Sequence, residues 1–348
     1  MSQVELENLT SFAVKTLFLS DEEARCLLVP LVKSTYLVKD SRQLVYAEKQ
    51  VDLNLTGAHF GDQDSSSYKY EPEIYFIKQS TDVVVVGSAC AHKAGVDQVD
   101  VGLSVGPIRK TVRVFGNRYW SKGLTGIAKT EPRSFEAISL CWENSFGGWD
   151  RSHPDPSRHT FEPRNPVGTG FRAKWGKFEE GVRLPNLEDP NDPLKSHGQV
   201  VKPVGFGFTS PHWQPRASFA GTYDETWMKE RMPLLPKDFD RRFFNGAPTD
   251  QIVPGYLRGD EEVMITNVTP SGSLSFRLPG VPPPECDVEF KGGRREVIPT
   301  NLDTVIINTD ENLVFLLWRA HLAVREGPHG VKAIRVSIPG YNDAKLAS

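Results

Sequence analysis

Three aspartates in one Pro- and Trp-rich stretch, Asp224, Asp238 and Asp240, have the type and spacing to do chemistry. Carboxylates serve as general acid and base when two of them face each other across a cleft. Aromatic neighbours also line sugar sites, so a hydrolase or carbohydrate-active enzyme is one reading of this region. The stretch "DFDRRFFNGAPTDQ", residues 238 to 251, has a simpler reading as well. Asp238 would sit near the start of a capped helical turn, Arg242 would pair with it four positions on, and Asn245-Gly246 would stop the turn in the left-handed region. That arrangement needs no catalyst.

Other catalytic patterns fail on context. "GLSVG" (102–106) matches the nucleophile-elbow motif, but Ser104 lies inside an alternating strand pattern and no amphipathic helix follows. "DVVVVGSACAHKAG" imitates a phosphate-binding loop from Gly87 to Lys93, yet His92 replaces the second glycine and Ala94 replaces the magnesium-binding hydroxyl. It reads as a strand ending in a small-residue bend. In "HPDPSRH", His153, Asp155 and His159 fit no familiar zinc spacing, and prolines on both sides of Asp155 forbid an aligning helix. The sequence therefore implies neither a metal nor a cofactor, and no catalytic residue is assigned.

The 348 residues suffice to bury a core without disulfides, and a formal charge of −3 lacks the basic excess of a nucleic-acid binder. Cys26, Cys90, Cys141 and Cys286 are widely spaced and read as free thiols. No leader pattern opens the chain and its apolar runs are too short to cross a bilayer, so a cytoplasmic protein without a membrane partner is expected.

The elements that must position any site read as strands. In "DQVDVGLSV", Val99, Val101, Leu103 and Val105 share one face. Val112 and Val114 alternate next, and Gly116-Asn117 is expected to turn a hairpin. After residue 255, turns at Ser271-Gly272, Gly292-Gly293 and "TDEN" (309–312) imply three hairpins in an antiparallel meander. Residues 150–255 break into Pro, Gly and Trp, with short helical pieces in "YDETWMKER" and "KDFDRRFF". A stretch so long is expected to be ordered against the sheets and to carry function. The expected fold is mainly β: two antiparallel sheets, sandwich-like or a partly closed barrel, with long Pro/Gly/Trp-rich loops and a few short helices. Residues 1–24 form a lead segment, 25–320 one domain containing the excursion at 150–255, and 321–348 a final strand and tail.

Several words in order carry a resemblance: "VGPIRKTVRVFGNRYW" (105–120), "ENSFGGWD" (143–150), "RNPVGTGF" (164–171), "PVGFGF" (203–208), "AGTYDETW" (220–227) and "ERMPLLPKDFDRRFFNGAPTDQ" (230–251). Over roughly residues 25 to 320 the chain resembles a bacterial domain-of-unknown-function family encoded beside the VgrG and PAAR spike proteins of type VI secretion systems. The resemblance implies an adaptor or chaperone that binds a secreted effector and helps load it onto the spike; it transfers no catalytic residues. "GSACAHKAG" (87–95) departs from the family pattern, which leaves that loop without an implied role.

Composition points the same way. Trp142, Trp149, Trp175, Trp213 and Trp227 are interleaved with Arg151, Arg172, Arg216 and Arg231, and these residue types dominate binding hot spots. The residues expected to touch a partner are Trp149, Trp213, Arg216, Tyr223, Trp227, Arg231, Arg241 and Phe244. A place in the secreted particle itself is a further alternative.

Overall fold

The computed structural model describes residues 4–40, 42–124, 126–173 and 178–340. Its largest sheet has eight strands, in the order Ile252–Val253, Thr81–Val86, Asn301–Asn308, Leu313–Arg319, Cys26–Lys39 and Ala13–Ser20, with Gln43–Tyr46 and Leu322–Ala323 also paired to Cys26–Lys39. Pairing is antiparallel except between Thr81–Val86 and Asn301–Asn308. The valine run of Thr81–Val86 is buried throughout, as a strand covered on both faces requires.

A second, five-stranded antiparallel sheet runs Leu187–Glu188, Ile108–Phe115, Gln98–Val105, Glu262–Thr269, Gly272–Arg277. The alternation of Val99, Val101, Leu103 and Val105 buries that face at 7, 0, 2 and 0% exposure. These side chains share one apolar core with Leu28, Val32, Val83, Val85, Val305, Ile307 and Leu316 of the large sheet. A third sheet closes the same core with Glu5–Asn8, Val331–Ser337, Glu285–Phe290 and Arg295–Pro299. The lead segment thus zips in parallel onto the last strand. The fold is mainly β with open sheets, not closed into a barrel.

The three hairpins after residue 255 form at the expected turns. They do not make one meander: each enters a different sheet, because the linkers at 278–284 and 299–301 carry the chain from one side of the core to the next. Gly116-Asn117 also departs from expectation. Ile108–Phe115 turns back at Gly106-Pro107 instead, pairing with Gln98–Val105. Gly116 lies against another segment, where an added Cβ would fall 1.6 Å from the Arg133 carbonyl oxygen. Ser104 stays within its strand, and Gly87 ends a buried strand, as their contexts imply.

The outer face of the large sheet is covered by the excursion and by residues 50–78, and it is built differently. Buried apolar islands, Val84, Ile306 and Leu317 in one and Leu27, Val29 and Leu31 in another, are divided by buried ion pairs. These are Lys33–Glu73 at 2.8 Å, Lys78–Asp82 at 2.7 Å, Arg319–Asp303 at 2.5 Å, and Arg216–Glu71. The "DFDRRFFNGAPTDQ" segment docks here. Asp82 accepts hydrogen bonds from Asn245 Nδ2 and the Gly246 amide, each at 2.8 Å. Asn245 is consequently extended, at φ −79° and ψ 115°, not a left-handed stop. Gly246 is required for close approach, since a Cβ there would lie 2.1 Å from Glu71 Oε2. The cap of the Arg241–Phe244 turn is Asp240, which accepts from the Arg242 amide and pairs with its guanidinium. Asp238 instead binds Thr222 across the excursion.

Candidate functional site

Among the described residues of the excursion the one α-helix, Glu225–Glu230, is six residues long and too short to stand alone. Asp224 caps it, accepting from the Trp227 amide at 2.8 Å, and the Trp227 indole donates to the Leu234 carbonyl at 2.8 Å. Tyr223 packs edge-on to Trp227 with ring centroids 4.7 Å apart. Two arginines then tie this unit to the turn after Ala13–Ser20. Arg231 donates to the carbonyl oxygens of Glu22 at 2.7 Å and Leu235 at 2.6 Å, and Arg241 forks onto the Glu22 carboxylate at 2.6 and 3.1 Å. The Arg241 guanidinium holds the Glu22 carboxyl below the usual glutamate range.

Between these anchors lies an apolar groove of about 350 Å³. Leu19, Ile74 and Phe76 form one wall, Tyr223, Leu234 and Phe239 the other, and Phe244 packs at the base with 8% exposure. Tyr223, on the groove's wall, is 53% exposed, and the same short unit carries Met228 and Met232, each 62% exposed. Partial burial, with the nearby Asp238 carboxylate, raises the Tyr223 phenol above its ordinary pKa. The phenol therefore stays protonated at neutral pH and can donate a hydrogen bond at the groove's rim. An apolar groove of this size suits an inserted aliphatic or aromatic side chain.

The residues expected to touch a partner divide into three groups. Tyr223, Trp227, Arg231, Arg241 and Phe244 gather around the groove, although the two arginines and Trp227 act as its struts. Trp149 lies on a separate ribbon, 43% exposed, packed at a tilt with its ring centroid 4.5 Å from that of Phe161 and Arg151 over its ring. Trp213 and Arg216 do not reach the surface, at 3 and 4% exposure. Trp213 meets Trp142 edge-on at 6.0 Å, and Arg216 donates to the Thr209 and Phe243 carbonyl oxygens at 2.6 and 2.8 Å. Burial opposes the Arg216 charge, but Glu71 and Tyr75 outweigh it and raise the pKa. These two residues hold the excursion together from inside. Trp175 lies outside the described residues.

The carboxylates that could have done chemistry have other occupations. Asp224 and Asp240 are caps, and Asp238 accepts from the Thr222 amide and hydroxyl at 2.9 and 2.7 Å. These hydrogen bonds depress the Asp238 pKa, the opposite of what a general acid needs. Asp155 caps Pro156–Arg158 through the Ser157 amide and hydroxyl. Among the described residues no three His, Cys, Asp or Glu side chains are grouped to hold a metal.

Sequence reasoning missed Met228, Met232, Ile74 and Glu22. Nothing in composition marks an exposed methionine, but the run Met232-Pro233-Leu234-Leu235, flanked by charge, was a usable signal of apolar surface.

No curated protein and no solved structure matches the chain. A family model described as "Uncharacterized protein conserved in bacteria" matches residues 23–319, which takes in the second sheet, the excursion, the large sheet apart from its strands Ala13–Ser20 and Leu322–Ala323, and the groove walls apart from Leu19 to Asp21. The chain belongs to that bacterial family, DUF2169.

Proposed function

We propose that the protein is a noncovalent adaptor or chaperone of a type VI secretion system, holding a secreted effector, or a VgrG or PAAR spike protein that bears one, until the spike is loaded. The observation that carries an adaptor role is the groove, with Tyr223 exposed on its wall and Met228 and Met232 exposed on the same short unit, apolar surface on a support fixed by Arg231 and Arg241. Exposed apolar area concentrated on a preorganised support is the ordinary mark of a protein-binding surface, because little ordering entropy opposes association. The secretion system as the setting is supported by the sequence words described above.

The test is coexpression with each neighbouring gene product followed by size-exclusion chromatography. A stable complex with an effector or spike protein is expected. Met228→Asp combined with Met232→Asp should abolish it while leaving the chain soluble and its unfolding midpoint unchanged, since both side chains are exposed. Unchanged copurification by this variant would remove the two methionines and the unit that carries them from the binding surface. Absence of any complex would sink the adaptor reading.

A further inference from the structure

We propose that the free edge of the large sheet, along Ala13–Ser20, takes up an extended segment of the partner protein as an added strand, held by main-chain hydrogen bonds to Val14, Thr16 and Phe18 and leading at its Ser20 end into the groove. The inference deepens the adaptor reading and rests on it for the existence of a partner.

Among the described residues Ala13–Ser20 pairs only with Cys26–Lys39 and ends the sheet on that side. An antiparallel ladder turns the amide and carbonyl of successive residues to opposite sides. The carbonyls of Cys26 and Pro30 accept from the Val324 and Ala320 amides on the far side of their strand, so it is Leu27, Val29, Leu31 and Lys33 that bond the edge strand, at Leu19, Leu17, Lys15 and Ala13. Val14, Thr16 and Phe18 therefore point amide and carbonyl away from the sheet. At Phe12 the same outward groups are covered: the amide donates to Thr10 Oγ1 at 3.1 Å and the carbonyl accepts from Asn8 Nδ2 at 2.9 Å. Among the described residues nothing covers them at Val14, Thr16 and Phe18. The opposite edge of the sheet is closed. There, beyond the short Ile252–Val253, the Val85 amide donates to the Phe206 carbonyl at 3.0 Å and the Val83 carbonyl accepts from Gln251 Nε2 at 2.7 Å.

Free edges invite pairing, and proteins guard them with brevity, charge or proline. The other edges of the three core sheets are guarded. Leu187–Glu188, Ile252–Val253 and Leu322–Ala323 have two residues each, Gln43–Tyr46 and Glu5–Asn8 four. Arg295–Pro299 opens with Arg295 and Glu296 and ends in proline, and Gly272–Arg277 exposes Ser273, Ser275 and Arg277. Ala13–Ser20 has eight residues, no proline and one charge, Lys15, which Asp52 engages at 3.1 Å. A row of donors and acceptors repeating every two residues, roughly 7 Å, matches another extended main chain. Side chains of the added strand would lie beside half-buried Val14 and Phe18 on the inner face and beside Leu17 and Leu19 on the outer, so apolar residues are expected on both. Leu19 and Ser20 end the strand and also line the groove, so pairing along the edge and insertion of a side chain follow one path. This continuity favours a partner segment as the occupant.

A displayed library of random nonapeptides, panned on the full chain, tests this without a natural partner. Enrichment of sequences rich in β-branched and aromatic residues is expected. N-methylation of alternate amides in the leading peptide should abolish binding in one register and spare it in the other. Thr16→Pro removes an amide that carries no bond in the sheet, a change an edge strand accepts, and should weaken the peptide about tenfold, the worth of one main-chain hydrogen bond. Thr16→Val keeps the amide and should bind as the native chain does. Equal binding to Thr16→Pro, an equal response to N-methylation in both registers, or no enriched peptide would overturn the added strand. If Thr16→Pro does not fold, the N-methylated peptides decide alone. A dimer in light scattering that Thr16→Pro dissolves, without peptide enrichment, would give the edge to a second copy of the chain and overturn the partner segment. Capture of a natural partner that Thr16→Pro leaves intact would overturn the edge alone, and peptide binding alongside failed capture would count against the adaptor reading alone.

Discussion

The two faces of the eight-stranded sheet solve opposite problems. The inner face meets the second and third sheets through Val83, Val85, Val305, Ile307, Leu316 and Trp318, all at most 2% exposed. Apolar contact of this kind stabilises without direction. The outer face carries Lys33, Asp82, Asp303 and Arg319, equally buried but paired across to Glu73, Lys78 and the loop segments above. A buried ion pair is a poor source of net stability, because desolvation offsets most of its Coulomb gain, yet it tolerates only one partner and one geometry. The difference teaches why an excursion with so little regular structure can present a fixed groove. The inner face holds the domain folded, and the outer face fixes where the excursion sits.

The strongest way to break this comparison is Asp82→Ala. It leaves the Lys78 ammonium without its carboxylate and strands the Asn245 and Gly246 donors in a buried site. A loss of about 3–5 kcal/mol in urea unfolding is expected. Replacing both partners, Lys78→Met with Asp82→Leu, should recover only the part due to the unpaired Lys78 charge, because the Asn245 and Gly246 donors stay stranded, and native-state proteolysis across residues 221–245 should accelerate. Undiminished protection there would mean that the ion pairs do not seat the excursion. On the inner face, Ile307→Val removes one methylene from a packed core, at about 0.5–1.5 kcal/mol. It should leave the excursion's proteolysis pattern untouched, since Ile307 faces away from it.

The same contrast explains what could be read in the sequence. Inner-face positions alternate along Gln98–Val105 and form a continuous apolar run in Thr81–Val86, so period and apolarity reveal them. The three hairpin turns after residue 255 were legible for the equally local reason that short polar and glycine-bearing runs suit tight turns, whereas the same kind of pair at Gly116-Asn117 makes none. Sheet membership was not legible, because the partner of Thr81–Val86 is Asn301–Asn308, more than two hundred positions away. The site was half legible. Tyr223, Trp227 and Phe244, singled out by residue type, do gather at one groove, but type alone could not separate Trp213, sealed against Trp142, from Trp149, open to solvent. Asp240 rather than Asp238 caps its turn because the helical piece begins two residues later than the charge pattern suggests, once Asp238 is drawn across to Thr222.

A smaller effect sharpens the comparison at the groove's edge, where the ion pair is only partly covered. Arg241 lowers the Glu22 pKa from its ordinary 4.5. A carboxyl whose folded pKa is depressed supplies stability that is complete above the unfolded value and disappears as pH falls through the folded one. Glu22→Gln should therefore be less stable than the native chain near neutral pH, by about 1 kcal/mol or less given the solvent access of this pair. The gap should close on acidification through the range just below 4.5, as both proteins come to carry a neutral side chain there. Thermal midpoints measured against pH for the two proteins check this. Parallel curves over the acid range would show that the Arg241 fork leaves the carboxyl unperturbed, and the excursion would then be held at this edge by Arg231, through the Glu22 carbonyl and the Glu23 carboxylate.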